Sequence, residues 1–217
     1  MRTQWIYKQK GITLIELLVA LTILGIVVGS IYRLFVAQTR AYTVQDEVVE
    51  VQQNVRGAME FMLRDLRMTG FDDDSTAAVI VSTPIKLPVE ASDIEVSYER
   101  ENHVHTLRYW RDGSVLRRQL SIDGNPTGQP DSLLENVDGL TFTYGVDENE
   151  DGIMDDQNDD GFINDQDWLT ARPGITKVVA VHVTLTGRPD QTNPDVQKRV
   201  SPRELTSAVT FRNLIMK

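Results

Sequence analysis

The chain has 217 residues, 41% hydrophobic and 25% charged, which suits one modest globular domain with an appendage, or one domain alone. It contains no cysteine, which excludes a disulfide scaffold, thiol catalysis and cysteine-built zinc sites. The net charge of -10 argues against a nucleic-acid partner, which asks for a basic face. The acidity is local: residues 147–167 hold ten Asp or Glu and no Lys or Arg. Taking those ten from the 32 acidic residues leaves 22, which balances the 22 basic ones.

Residues 1–11 carry Arg2, Lys8 and Lys10 and no acid. Residues 12–32 are then predominantly apolar, with Glu16 as their single charge. As a helix this run spans roughly 30 Å, the thickness of a bilayer core. Basic flanks stay in the cytoplasm, so the amino end is expected inside and the rest outside. The run reads as a cleaved secretory signal, a plain membrane anchor, or an anchor with a task for its carboxylate. The first fits poorly, because no small-x-small site follows the run. The second leaves Glu16 unexplained, at about 2.5–3.5 kcal/mol for a carboxylate in mid-membrane.

The order Lys10-Gly11-Ile12-Thr13-Leu14-Ile15-Glu16, followed by the apolar run, resembles the class III signal of type IV prepilins and type II secretion pseudopilins. The resemblance implies cleavage after Gly11 by the prepilin peptidase and N-methylation of the new terminus, Ile12. Phenylalanine is commoner there, so isoleucine is a departure. Glu16 becomes the family's carboxylate at the fifth mature position. In that family the carboxylate pairs with the free amine of a neighbouring subunit and fixes the stagger between helices, which the resemblance implies for Glu16.

Val44, Val48, Val51, Val55, Met59, Met62 and Leu66 recur at three- and four-residue steps, which predicts one face of an amphipathic helix. No proline occurs from residue 12 to residue 70, and Gly70 is a natural stop. The predicted division is a leader at 1–11, a helix at 12–70 and a β-rich domain at 71–217. Residues 71–76 read as a loop. Strands are expected around Ile94, Val96 and Tyr98, at 104–111 and 114–120 about an Asp112-Gly113 turn, around Leu140, Phe142 and Tyr144, from Val179 to Leu185, and at 205–214. The fold class is α+β: a long amino-terminal helix on an antiparallel sheet, which is the pilin architecture that the resemblance implies.

The helix end Met59–Phe71, the segment Leu134–Tyr144 and the close Thr210–Leu214 resemble minor pilins of the PilW type. Pseudopilin J of type II secretion is similar over the first third.

The acidic stretch repeats D-x-N-x-D-G nine residues apart, at Asp147, Asn149, Asp151, Gly152 and at Asp156, Asn158, Asp160, Gly161. This resembles the calcium loops of EF-hands, dockerins and thrombospondin type 3 repeats. Calcium takes six to eight hard oxygen ligands, and alternate residues can turn theirs to one side. The second loop is the fuller one. Asp156, Asn158 and Asp160 lead, the carbonyl of Phe162 follows, and Asn164 and Asp167 close it. In the first loop the closing position falls on Asn158, already used, which favours a shared arrangement with Asp155 as an added ligand. One or two calcium ions are expected in a loop that otherwise repels itself.

The sequence holds no G-x-S-x-G, no H-E-x-x-H and no phosphate loop. The chain reads as the substrate of an enzyme and not as one. The expected function is that of a minor pilin in type IV pilus assembly, with the prepilin peptidase, other minor pilins and the major pilin as partners. It would be a single-pass inner-membrane protein before entering the filament. A J-like secretion pseudopilin and a calcium-dependent tip adhesin are the alternatives.

Overall fold

A computed structural model describes residues 11–73, 81, 83–86, 91–170, 175, 177–189, 192, 196 and 199–215. Helix α1 is Leu14–Leu66. By its contacts the chain forms two compact units, one up to Gln45 and one from Asp46 onward. In the first, the apolar side chains of α1, such as Leu17, Leu21, Leu24, Val28 and Phe35, are exposed. The helix is long and apolar enough there to cross a membrane.

In the second unit, the last turns of α1 pack on two antiparallel sheets. Strands β1 (Ile85–Lys86), β2 (Asp93–Arg100), β3 (His103–Asp112), β4 (Val115–Ile122) and β5 (Asn125–Pro126) lie in that order, and β6 (Asp131–Leu134) also pairs with β4. The second sheet runs β10 (Arg203–Thr210), β9 (Val178–Gly187), β7 (Val137–Val146) and β8 (Leu169–Thr170). The sequence suggested one sheet. Two arise because both β4 and β7 lie mid-sheet, β4 between β3 and β5 with β6, β7 between β8 and β9, so consecutive strands go to different neighbours.

The core joins Val55, Met59, Met62 and Leu66 of α1 to Ile94, Leu107, Tyr109, Leu116, Phe142, Tyr144, Val183, Leu185 and Phe211. Each such side chain contributes about 1.5–3 kcal/mol by leaving water. The expected helix face is therefore real from Val51 onward. Gly187 shows how close the helix comes. A Cβ built there would lie 2.5 Å from Val55 Cγ2. Asp65 pins the last turn: its carboxylate accepts from Tyr109 Oη at 2.6 Å and from Arg118 Nε at 2.9 Å.

The helix stops at Leu66, one turn before the glycine. Thr69 donates its hydroxyl back to the Leu66 carbonyl at 2.6 Å, and Gly70, at φ +69°, donates its N–H to Ser97 on β2 at 2.9 Å. The last predicted strand ends early as well. Strand β10 closes at Thr210 and a short helix, Arg212–Ile215, follows. Part of the predicted 71–76 loop lies outside the described residues.

Candidate functional site

Two segments carry the candidate residues, one in each unit. In the first, Gly11 and Ile12 precede the helix in non-helical backbone, while the basic leader Arg2, Lys8 and Lys10 lies outside the described residues. Thr13 is the cap. Its N–H donates to Glu16 Oε2 at 2.9 Å, its hydroxyl donates to the same oxygen at 2.9 Å, and the Glu16 N–H returns a bond to Thr13 Oγ1 at 3.3 Å. This is a reciprocal capping box, and it meets two of the four orphan donors of the helix start. The Glu16 carboxylate thus has local donors before any other chain arrives. Sequence reasoning missed Thr13, although T-x-x-E before an apolar run is the signature of such a box.

The acidic segment leaves β7 at Val146 and ends in a 3₁₀ turn, Asp165–Asp167, ahead of β8. Its two halves share one hydrogen-bond plan. Asp147 Oδ2 accepts from the Gly152 N–H at 2.8 Å, and Asp156 Oδ2 accepts from the Gly161 N–H at 2.6 Å. Asn149 Oδ1 accepts from Asp151 at 2.9 Å, as Asn158 Oδ1 does from Asp160 at 3.0 Å. Asp151 Oδ1 accepts from Ile153 at 2.8 Å, as Asp160 Oδ1 does from Phe162 at 2.9 Å. The backbone repeats too. Glu150 and Asp159 have φ of 61° and 57°, Gly152 and Gly161 of 84° and 86°. The nine-residue spacing seen in the sequence is thus a structural repeat.

The remaining candidates close each loop. Asp155 Oδ2 accepts from the Glu148 N–H at 2.6 Å. Asn164 caps the 3₁₀ turn by accepting from Gln166 at 2.8 Å. Asp167 is fully buried. One of its oxygens accepts from Gln157 at 2.8 Å and the other from Asn164 at 2.7 Å. It therefore bridges the two ends of the second loop. Asn158 and Asn164 turn their amide nitrogens to Asp160 Oδ2 at 3.1 and 2.8 Å. Partial desolvation raises the Asp156 carboxyl, but the N–H groups of Gly161, Asp160, Asn158 and Asp159 outweigh it and hold the group below its ordinary value.

Among the described residues, no three carboxylates or imidazoles converge on one point as metal ligands. The carboxylates face loop N–H groups instead. Asp147 and Asp167 are nonetheless buried acids, and among the described residues neither has a cationic side chain against it. Lys177 reaches this region but pairs with Glu150, at 3.0 Å, and with the Glu148 carbonyl.

Met154 anchors the first loop. A Cβ on Gly145 would lie 2.6 Å from its sulfur, so the glycine leaves room for the Met154 side chain against β7. Trp168 packs against His182 with ring centroids 4.9 Å apart and planes tilted by 31°.

Known proteins give the following likenesses. Residues 6–32 match the prokaryotic N-terminal methylation motif. Residues 99–212, more than half of the chain, match type IV pilus-assembly protein W. A type IV-like pilin from Thermus thermophilus has a similar fold, with a TM-score of 0.50 at 13% identity, over 76% of this chain and 98% of that one. No curated protein matches at a significant level. The apolar helix, the two sheets and the match across 99–212 give one answer: the chain belongs to the type IV pilus-assembly protein W family.

Proposed function

We propose that this pilus-related minor pilin primes or caps the assembly of a type IV pilus with other minor pilins and the major pilin. One observation carries the reading. The Gly11–Glu16 motif and a PilW-type domain occur in a single chain. In this reading the prepilin peptidase cuts after Gly11, Ile12 becomes the methylated terminus, and the chain waits in the inner membrane. The role is structural, and the chain is processed by an enzyme rather than acting as one.

Glu16 sets the register. Its carboxylate rests on Thr13 until a neighbouring subunit offers an amine, and a charged partner is the better one for a carboxylate in an apolar setting. The substitution Glu16→Ala tests this. The variant is expected to insert and be cleaved, yet to be absent from sheared filaments. Normal incorporation would refute the register role.

The acidic loop is assigned to calcium. Asp156, Asn158, Asp160, the Phe162 carbonyl, Asn164 and Asp167 would hold one ion. Asp147, Asn149, Asp151 and Asp155 would hold a second, sharing Asn158. Support comes from the duplicated turn and from two buried acids that lack a cationic side chain among the described residues. Rotating the Asn158 and Asn164 amides exchanges nitrogen for oxygen at the positions that need a ligand. The ion supplies the positive charge that ten clustered acids require. Titration calorimetry on the full chain in detergent is expected to show saturable calcium heat, in the weak range of roughly 0.1–1 mM typical of extracellular modules. No heat and no thermal shift would refute it.

A further inference from the structure

The arginines of the first sheet are engaged. Arg108 meets Asp93, Arg117 meets Asp112, and Arg118 meets Asp65. Arg188, after β9, meets Asp138. Arg56 on α1 and Arg203 at the start of β10 differ. Neither forms an ion pair or hydrogen bond among the described residues, and Arg203 Nε is buried without any hydrogen-bond partner. A buried donor left unmet is costly, and it asks for an explanation.

Both side chains line one cavity of about 470 Å³ between α1 and β10. Gln52 and Gln53 add carboxamides to it, and Val49, Val55 and Leu205 give it an apolar wall. Among the described residues that line it Glu204 is the one acid, and its Oε2 takes a hydrogen bond from the Thr186 hydroxyl at 3.4 Å. Two like charges are thus brought to one cleft of a chain whose net charge is -10. Guanidinium groups bind oxyanions as planar forks, two bonds at a time.

We propose that this cleft binds a carboxylate side chain of an acidic polypeptide, held by Arg56 and Arg203. The apolar wall suits the methylene stem of a glutamate, and the volume exceeds what a bare oxyanion fills. Binding of a carboxylate by the outer guanidinium nitrogens neutralises the like charges that Arg56 and Arg203 bring to this cleft. The site is independent of the calcium assignment and of Glu16.

The test titrates the full chain, in detergent and at low salt, with an end-blocked peptide of five glutamates. Inorganic phosphate serves as the competing probe. Saturable binding is expected, weakened about tenfold in Arg56→Gln and again in Arg203→Gln, and unchanged in Arg117→Gln on β4. Rising salt should weaken it steeply. Thermal midpoints equal to wild type establish that the variants are folded. If Arg203→Gln unfolds, Arg56→Gln decides alone, since its side chain is exposed. No saturable binding, or equal binding in all variants, overturns the proposal. Phosphate that binds more tightly and displaces the peptide also overturns it, and reassigns the cleft to a phosphate group.

Discussion

Asp65 holds the end of α1 to the first sheet, so Asp65→Ala should loosen that joint. Two bonds go: one from Tyr109 Oη at 2.6 Å and one from Arg118 Nε at 2.9 Å. The two ion-pair side chains are mostly buried, at 13% exposure for Asp65 and 16% for Arg118. Removing one partner of a buried pair costs about 3–5 kcal/mol, because the other charge is left uncompensated. Here the loss is smaller. Arg118 keeps Asp131 at 3.7 Å, a pair whose acid is well exposed, and it keeps Tyr109 Oη at 3.2 Å. The estimate is therefore about 2–3 kcal/mol. For a domain of this size that lowers the thermal midpoint by roughly 5–10 °C. Asp65→Asn, which keeps an acceptor without the charge, should lose about half as much. Thermal unfolding of the full chain in detergent, followed by near-ultraviolet circular dichroism, gives both numbers. A midpoint for Asp65→Ala within a degree of wild type would refute the joint.

Three more outcomes are expected. Burial pushes the phenols of Tyr109 and Tyr144 up, and for Tyr109 the hydrogen bond to Asp65 adds to it. An unfolded tyrosine ionises near pH 10, earlier than these two, so their contribution is whole below about pH 10 and drains away as pH rises above it. Urea midpoints at about pH 9 and pH 11 check this, and equal values would contradict it. Gly187→Ala should cost about 1–3 kcal/mol by driving a methyl into Val55, whereas Gly57→Ala, in open space within α1, should be neutral or stabilising. Equal effects of the two would deny that α1 sits tightly on β9. Asp156→Asn should weaken calcium heat and expose residues 156–167 to proteolysis in calcium, while Asp159→Asn, outside the proposed ligand set, should do neither. Indistinguishable variants would sink the ligand assignment.

Periodicity revealed most of the framework. The core face of α1 and the strands around Ile94, Leu107, Leu116, Phe142 and Val183 follow from alternation and three-to-four spacing, because burial of one face is what makes those patterns. The partition into two sheets was not legible. It depends on which edge β4 and β7 accept, a long-range choice that leaves no local mark. Strands β1, β5, β6 and β8 were too short to show alternation. The helix end was misplaced because Thr69, buried by tertiary contacts, turned the chain before Gly70 could. The nine-residue repeat of the acidic loop was legible, since D-x-N-x-D-G recurs in the sequence, whereas the positive φ of Glu150 and Asp159 was not, because those side chains carry no mark of it. The Arg56–Arg203 cleft was invisible, because its arginines lie far apart in sequence and line one cleft only in the fold.

The most direct test of the assembly role counts surface pili on cells deleted for this chain, with the wild-type copy restored as control. Loss of pili with secretion intact, and recovery on restoration, is the expected result. Normal pili on the deleted cells would contradict the account.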